Sequence, residues 1–173
     1  INHLSRFHLL PGVGQAIRRL NQFGLPVVVV TNQSGLARGY FPESLLAAVH
    51  AEMRRRLALE GAHIDGLYIC PHHPEAKEAR FRQACTCRKP KPGLLEQAAA
   101  EMGLDLPRSY VVGDRWSDLR CGAAVGATTI LVLTGYGRGD AQYIGPTQTV
   151  QPDFVAEDLQ TAVQWILDRE NNK

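Results

Sequence analysis

The sequence has no long apolar run and little net charge, and each of these absences excludes a class of function. No stretch of its 173 residues approaches the roughly 18 to 20 apolar residues that a membrane-spanning helix needs. The formal net charge of +2 is too small to indicate binding to nucleic acid or to a membrane surface. The first residues also lack the pattern of a signal peptide. We therefore expect neither nucleic acid nor a membrane as a partner.

Cysteine is scarce as well, and its distribution argues against a secreted domain held by disulfides. A chain of this length with four cysteines and 45% apolar residues can bury a core without covalent cross-links. Reduced thiols in the cytoplasm fit this composition better. Cys121 stands apart from the other three, among small and apolar residues, and is predicted to be buried on a helix. We expect a single cytoplasmic domain, residues 1–173, and a monomer.

Helix and strand patterns alternate along nearly the whole chain. Apolar residues at helical spacing predict helices near 13–23, 43–61, 93–102, 117–125 and 159–167. Short runs of branched and aromatic residues predict buried strands at 26–31 and 128–133, and further strands at 67–69, 110–112 and near Val155. Strands joined by single helices predict a doubly wound, mainly parallel α/β sheet with helices on both faces. The Gly-, Pro- and Thr-rich stretch 134–152 is predicted to be a mobile surface segment.

One long loop contains four side chains of the kind that bind metals, namely Cys70, His72, Cys85 and Cys87. They are spaced as C-x-H and C-x-C, and three of the four cysteines fall within 18 positions. Cysteines are often simply buried, and histidines often are satisfied polar groups, but packing does not explain such crowding. Three thiols and an imidazole are typical ligands of a closed, structural Zn²⁺ site. We expect zinc here, with His73 as a neighbour of the site and not a ligand.

Two polar motifs lie where ligands bind in such sheets, beyond the carboxyl ends of the strands. The turn Thr31 to Ser34 follows a strand of valines, and its hydroxyl, amide and backbone N–H groups can hold a phosphate or can form an ordinary turn. Arg88 and Lys89 follow the cysteine loop, and their cations can contact phosphoryl oxygens or can belong to a solvated basic turn.

A third motif places two carboxylates one helical turn apart after an apolar strand. Asp114 and Asp118 have the spacing and the oxygen ligands that suit Mg²⁺. The alternative is a helix N-terminus, with a cap between Asp114 and Ser117 and with Asp118 favouring the helix dipole. The three motifs together favour a site for phosphate and magnesium over three separate structural roles.

These motifs, in this order, resemble the haloacid dehalogenase-like phosphatases, with no large cap domain. The similarity is strongest to the D-glycero-D-manno-heptose 1,7-bisphosphate 7-phosphatases and weaker to the histidinol-phosphate phosphatases. It spans nearly the whole chain and is most specific at 68–74, 85–90 and 28–39. Twelve residues separate His72 from Cys85, as in the heptose enzymes. The resemblance implies Mg²⁺-dependent removal of a sugar 7-phosphate, with histidinol phosphate as the alternative substrate. A non-catalytic, zinc-stabilised binding module is the alternative from another class.

The resemblance also implies roles for residues of the first two motifs. Thr31 would hydrogen-bond the transferring phosphoryl group. Its neighbours Asn32, Gln33 and Ser34 would line the substrate site. Lys89 would neutralise the charge of the phosphoryl group and hold the nucleophile.

Roles for the remaining residues follow from the same resemblance. Arg88 would recognise the substrate, and Arg115 would be a basic substrate-binding residue beside the magnesium site. Asp114 would bind Mg²⁺, and Asp118 would support that site. The four residues of the cysteine loop would hold Zn²⁺.

One family motif is missing from the sequence. The nucleophile of the family is the first aspartate of an Asp-x-Asp-Gly motif that ends the first strand, and no Asp-x-Asp occurs among the 173 residues. In the family this motif stands just before an Ile-Asn pair, and the chain begins with Ile1 and Asn2. We expect a preceding strand to carry the nucleophile, because its absence would leave backbone groups of two neighbouring strands unpaired, at roughly 1–3 kcal/mol for each buried group. The alternative is a pseudoenzyme.

Overall fold

The computed structural model describes residues 3–173 in two compact units. One unit ends at Arg88 and the other comprises Lys89–Lys173. Ile1 and Asn2, on which the expectation of a preceding strand depends, lie outside the described residues. In the described part of the chain, no helix is both long enough and apolar enough to cross a membrane.

The first unit contains a two-stranded parallel sheet. β1 (Val28–Asn32) pairs with β2 (Gly66–Cys70) in a register that sets Asn32 opposite Cys70. The helices of this unit are α1 (Val13–Phe23), α2 (Ser34–Ala37) and α3 (Glu43–Leu59), with short 3-10 turns at Leu4–Arg6 and Ala79–Phe81. The register brings the polar turn after β1 beside the start of the cysteine loop.

Two features of the first unit differ from the sequence-based prediction. The β1 residues are only partly buried, so the prediction of a strand buried on both faces is wrong. Within residues 3–173 this strand pairs with β2 alone, which leaves part of its surface uncovered. The turn after β1 continues into the one-turn helix α2, where Leu36 and Ala37 are buried against Ala76 and Phe81 of the cysteine loop.

The second unit contains a three-stranded parallel sheet in the order β3-β4-β5. These strands are β3 (Tyr110–Gly113), β4 (Thr128–Val132) and β5 (Phe154–Ala156). The helices are α4 (Gly93–Met102), α5 (Trp116–Ala123), α6 (Gly137–Gly139) and α7 (Leu159–Asn171), with 3-10 turns at Leu106–Arg108 and Gly145–Thr147. All strand pairings in the described chain are parallel, as predicted.

The core of the second unit lies where α5 packs on the sheet. Leu119 and Leu131 are completely buried and pack together with Trp116. Gly122 lets the helix approach the sheet closely, because a Cβ atom there would lie 2.8 Å from Cβ of Val111. Cys121, on the same helix, is fully buried, as predicted.

The segment after β4, predicted to be a mobile surface segment, contains ordered helical turns. A π-helical turn, Asp140–Ile144, follows α6 directly. Asp140 is buried, and its Oδ2 accepts a hydrogen bond from the Trp116 backbone N–H at 2.8 Å. The Trp116 indole in turn donates to the Val150 carbonyl at 2.8 Å. These contacts hold the segment against α5, which composition alone could not reveal.

The packing around α5 predicts the effect of shortening one buried side chain. We expect Leu119→Ala to lower the free energy of unfolding by about 2–5 kcal/mol, because it removes buried apolar contacts and leaves a cavity. Leu59→Ala is the matched control, since that leucine is 74% exposed, and we expect a change below about 1 kcal/mol. Urea denaturation measures both values, and equal losses would contradict the location of the core.

Candidate metal centre and active site

The structure brings the four predicted zinc ligands together in the first unit. Their ligand atoms all lie within 4.8 Å of one another. Sγ of Cys70 lies 3.6 Å from Sγ of Cys85 and 3.0 Å from Sγ of Cys87. Nδ1 of His72 lies 3.2 Å from Sγ of Cys87. With metal–sulfur bonds of about 2.3 Å, a tetrahedral site sets its ligand atoms about 3.5–3.8 Å apart, so this donor set fits a single small cation.

The three thiols differ in acidity because they are crowded and are buried to different extents. Burial raises the pKa of Cys70 and of Cys87 above the ordinary thiol value. Burial acts in the same direction on Cys85, but hydrogen bonds from the Cys87 and Cys70 thiols outweigh it and lower the pKa of Cys85 to about 6. The neighbouring thiols thus favour a thiolate at Cys85, and binding of a divalent metal would require all three thiols to lose their protons.

The two neighbouring histidines have different surroundings. His72 turns Nδ1 to the thiols, and its Nε2 lies 2.5 Å from the side-chain nitrogen of Gln83. The ring of His73 instead contacts Arg38 through Nε2 at 2.7 Å and the Glu75 backbone N–H through Nδ1 at 3.1 Å. His73 therefore lies outside the group of four ligand atoms.

Hydrogen bonds connect the cysteine cluster to two other predicted motifs. The Cys70 carbonyl accepts the Gln33 backbone N–H at 2.8 Å, and the Gln33 amide donates to Oγ1 of Thr31 at 3.1 Å. On the other side of the cluster, Nη1 of Arg88 donates to the His72 carbonyl at 3.4 Å. The cluster thus helps to position the polar turn after β1 and the first cation after the loop.

In the second unit, Lys89 and Asp118 form an ion pair with very little exposure. Nζ of Lys89 lies 2.7 Å from Oδ1 of Asp118, with 15% and 8% of the two side chains exposed. Oδ2 of Asp118 accepts the Arg115 backbone N–H at 3.1 Å, at the start of α5. Gly113 leaves room for this arrangement, because a Cβ atom there would overlap the Asp118 side chain. Asp118 therefore has the helix N-terminal role weighed from the sequence and also holds Lys89, whereas its support of a magnesium site stays a prediction.

The Asp114 carboxylate is held by a turn that follows β4. Its Oδ2 accepts the Tyr136 backbone N–H at 2.9 Å. Gly135 has a positive φ of 59°, and a Cβ atom there would overlap Oδ2 of Asp114. No lysine or arginine of residues 3–173 forms an ion pair with Asp114. One carboxylate oxygen is thus fixed by the backbone, and the other has the chemistry that a hard cation such as Mg²⁺ would require of a ligand.

Comparison with known proteins shows the family to which this chain belongs. The HAD-hydrolase-like family profile matches residues 86–162. The curated D-glycero-beta-D-manno-heptose-1,7-bisphosphate 7-phosphatase of Yersinia pestis is 42% identical over 136 residues, 78% of this chain and 72% of that protein. The enzyme of the same name from Haemophilus influenzae is 40% identical over 152 residues, 83% of this chain and 81% of that protein. The chain belongs to the heptose-bisphosphate phosphatase family of haloacid dehalogenase-like hydrolases.

Solved structures agree with this assignment. The crystal structure of D,D-heptose 1,7-bisphosphate phosphatase from B. bronchiseptica, complexed with magnesium and phosphate, has a TM-score of 0.86 and 37% identity, and the match covers 98% of this chain and 89% of that one. The corresponding structure from Burkholderia thailandensis has a TM-score of 0.72 and 31% identity, over 96% and 90% of the two chains. The predicted family, the doubly wound fold and the phosphatase class are confirmed.

Sequence reasoning missed two residues, Tyr136 and Asp140, that contact the predicted site residue Arg115. The guanidinium of Arg115 lies 4.4 Å from the ring centroid of Tyr136, and its Nε lies 3.5 Å from Oδ2 of Asp140. Both partners belong to the segment predicted to be mobile. A signal for Tyr136 existed, because the Thr-Gly-Tyr-Gly turn follows β4, and the carboxyl ends of parallel strands meet at one edge of a sheet.

The close contact at Gly135 leads to a prediction about stability. We expect Gly135→Ala to lower the free energy of unfolding by about 1–3 kcal/mol, because alanine is strained at positive φ and its methyl group displaces Asp114. Gly139→Ala is the matched control, since Gly139 has a helical φ of −66° and open space around its Cβ position. Thermal unfolding of the two variants should differ clearly, and equal midpoints would show that the turn does not depend on glycine.

Proposed function

We propose that this protein is a Mg²⁺-dependent phosphatase that removes the 7-phosphate of D-glycero-beta-D-manno-heptose 1,7-bisphosphate. The observation that carries the proposal is the arrangement at the end of β3, where Lys89 and Asp118 form a largely buried ion pair and a backbone N–H holds Asp114. The chain is also 42% identical to an enzyme named for this reaction. Phosphoryl transfer depends mainly on positioned cations and a metal, which these side chains can supply.

The magnesium role rests on the chemistry of the residues at the end of β3. Asp114 offers the carboxylate oxygen that Mg²⁺ prefers, and Asp118 would support it by fixing the backbone of Arg115, which directly follows Asp114. When bound, Mg²⁺ supplies positive charge that stabilises phosphoryl oxygens. Lys89 is held at 2.7 Å by Asp118, so its ammonium provides a second positive charge at a fixed position.

Thr31 is suited to donate a hydrogen bond to the phosphoryl group. The Gln33 amide donates to Oγ1 of Thr31 at 3.1 Å, so the hydroxyl proton of Thr31 is available for another acceptor. We assign Asn32 and Ser34 to the wall of the substrate site, as the resemblance implies. The first step is expected to be attack by an aspartate, and the 173 residues contain no Asp-x-Asp pair to which that step could be assigned.

We further propose that the cluster in the 70–87 loop holds one structural Zn²⁺. Its role would be to fix the loop and the recognition residue Arg88, whose side chain donates to the His72 carbonyl. A chain with reduced thiols suits the cytoplasm, where we place the protein. The monomeric state remains a prediction.

Phosphate release from defined substrates tests the proposed reaction. In the full chain, we expect turnover of heptose 1,7-bisphosphate that EDTA abolishes and Mg²⁺ restores. Lys89→Ala should lower kcat by roughly 100-fold or more, because a fixed cation next to the transferring group is lost. Lys77→Ala, at an exposed position, should have little effect. Preferential cleavage of histidinol phosphate would replace the proposed substrate, and no turnover on a broad panel of phosphate esters would favour a binding module.

Metal analysis tests the structural site independently of activity. We expect about one zinc per chain in the wild type and a loss of most of it in Cys85→Ala, since three ligands hold the ion less tightly than four. Cys121→Ala is the matched control, because this cysteine is equally free of disulfides but lies outside the cluster. Equal zinc contents in wild type and Cys85→Ala would show that Cys85 is not a ligand.

A further inference from the structure

Tyr136 contacts two consecutive residues of the candidate site by two different means. Its backbone N–H donates to Asp114 at 2.9 Å, and the face of its ring carries the guanidinium of Arg115 at 4.4 Å. The backbone N–H of Arg115 is itself fixed by Asp118 at 3.1 Å. The Arg115 side chain thus starts from a fixed point and is directed by an aromatic ring.

The contacts of Arg115 leave most of its hydrogen-bonding capacity available. A guanidinium has five N–H donors in a planar fork. The Nε group faces Asp140 at 3.5 Å, and no carboxylate of residues 3–173 forms an ion pair with the Nη atoms. Two parallel N–H groups on such a fork match two oxygens of a phosphate. The Tyr136 ring, which lies against one face of the Arg115 guanidinium, limits the orientations that this planar group can take.

The Arg115 side chain is more exposed to solvent than Lys89, the cation assigned to catalysis. The Lys89 side chain is 15% exposed, whereas that of Arg115 is 50% exposed and Tyr136 as a residue is 65% exposed. A transferring phosphoryl group needs the buried cation, since charges act more strongly where water is excluded. The exposed guanidinium is better placed for a part of the substrate that extends outward and does not react.

We propose that Tyr136 is a specificity-determining positioning residue, which holds Arg115 for the phosphate group that the enzyme leaves on the sugar. This inference rests on the proposed function, because it needs a substrate with two phosphates. Tyr136 acts through Arg115 and does not itself touch the reacting atoms. The ring contributes by orienting a cation, so phenylalanine can replace tyrosine and alanine cannot.

Kinetics with two substrates test the proposal in the full chain. The substrates are heptose 1,7-bisphosphate and the same sugar without its 1-phosphate. We expect Tyr136→Ala to raise the ratio of KM for the bisphosphate to KM for the monophosphate by roughly two- to fivefold, the size of an exposed cation–π contact. Tyr136→Phe should restore the wild-type ratio. Tyr143→Ala, which removes another exposed tyrosine of the same segment, should leave the KM values for both substrates as in the wild type.

A double-mutant cycle separates positioning from a general structural effect. Arg115→Ala should raise the same KM ratio at least as much as Tyr136→Ala, and the double variant should be no worse than Arg115→Ala alone. Additive effects, or an equal rise of KM for both substrates, would overturn the inference. A wild-type enzyme without activity on the bisphosphate would overturn the proposed function instead, so the two failures can be told apart.

Discussion

The Lys89–Asp118 ion pair is the contact on which the second unit's site depends. A lysine with 15% of its side chain exposed has lost most of its hydration and needs a carboxylate partner. Asp118 pairs with the lysine through one oxygen, and its other oxygen accepts the backbone N–H of Arg115, the residue just before α5. A single carboxylate therefore fixes a cation and the backbone next to Asp114 together. Buried pairs often add little to stability, so the benefit of this one lies in a fixed geometry.

In the first unit, the cysteine cluster bears on how the loop from residue 70 to 87 is held in one conformation. The loop from residue 70 to 87 has one short 3-10 turn and few buried apolar side chains, chiefly Ala76 and Phe81. Such a segment cannot be held by hydrophobic burial alone, because ordering each residue costs about 1–2 kcal/mol of backbone entropy. Four converging ligands can supply about 10–16 kcal/mol when they bind zinc in small peptides. A bound metal would thus substitute for a core and keep the polar residues at both ends of the loop in defined positions.

Local sequence patterns predicted the elements whose formation depends on local chemistry. The valine run predicted β1, and the glycine at position 103 marked the end of α4. The C-x-H and C-x-C spacing predicted that four potential metal ligands lie together. The contacts of Asp140 and Tyr136 could not be predicted in this way, because their partners Trp116 and Asp114 are 24 and 22 positions away. The segment 134–152, which contains both residues, has the composition of a loop, and contacts with distant residues order it. The partial burial of β1 likewise depends on which strands lie beside it.

In the proposed reaction, two cations of the second unit would have different tasks, one in phosphoryl transfer and one in substrate recognition. An interaction accelerates a reaction only when it is stronger in the transition state than in the ground state, so a rigid, buried cation is best used on the group being transferred. Binding a remote group equally in both states lowers KM without raising kcat, and a surface side chain can do this without burial of a charge. In the proposed function, the largely buried Lys89 would serve the first task and the half-exposed Arg115 would serve the second. The Tyr136 ring against Arg115 would then reduce the orientational freedom that a surface arginine loses on binding, so that recognition of the substrate would cost less entropy.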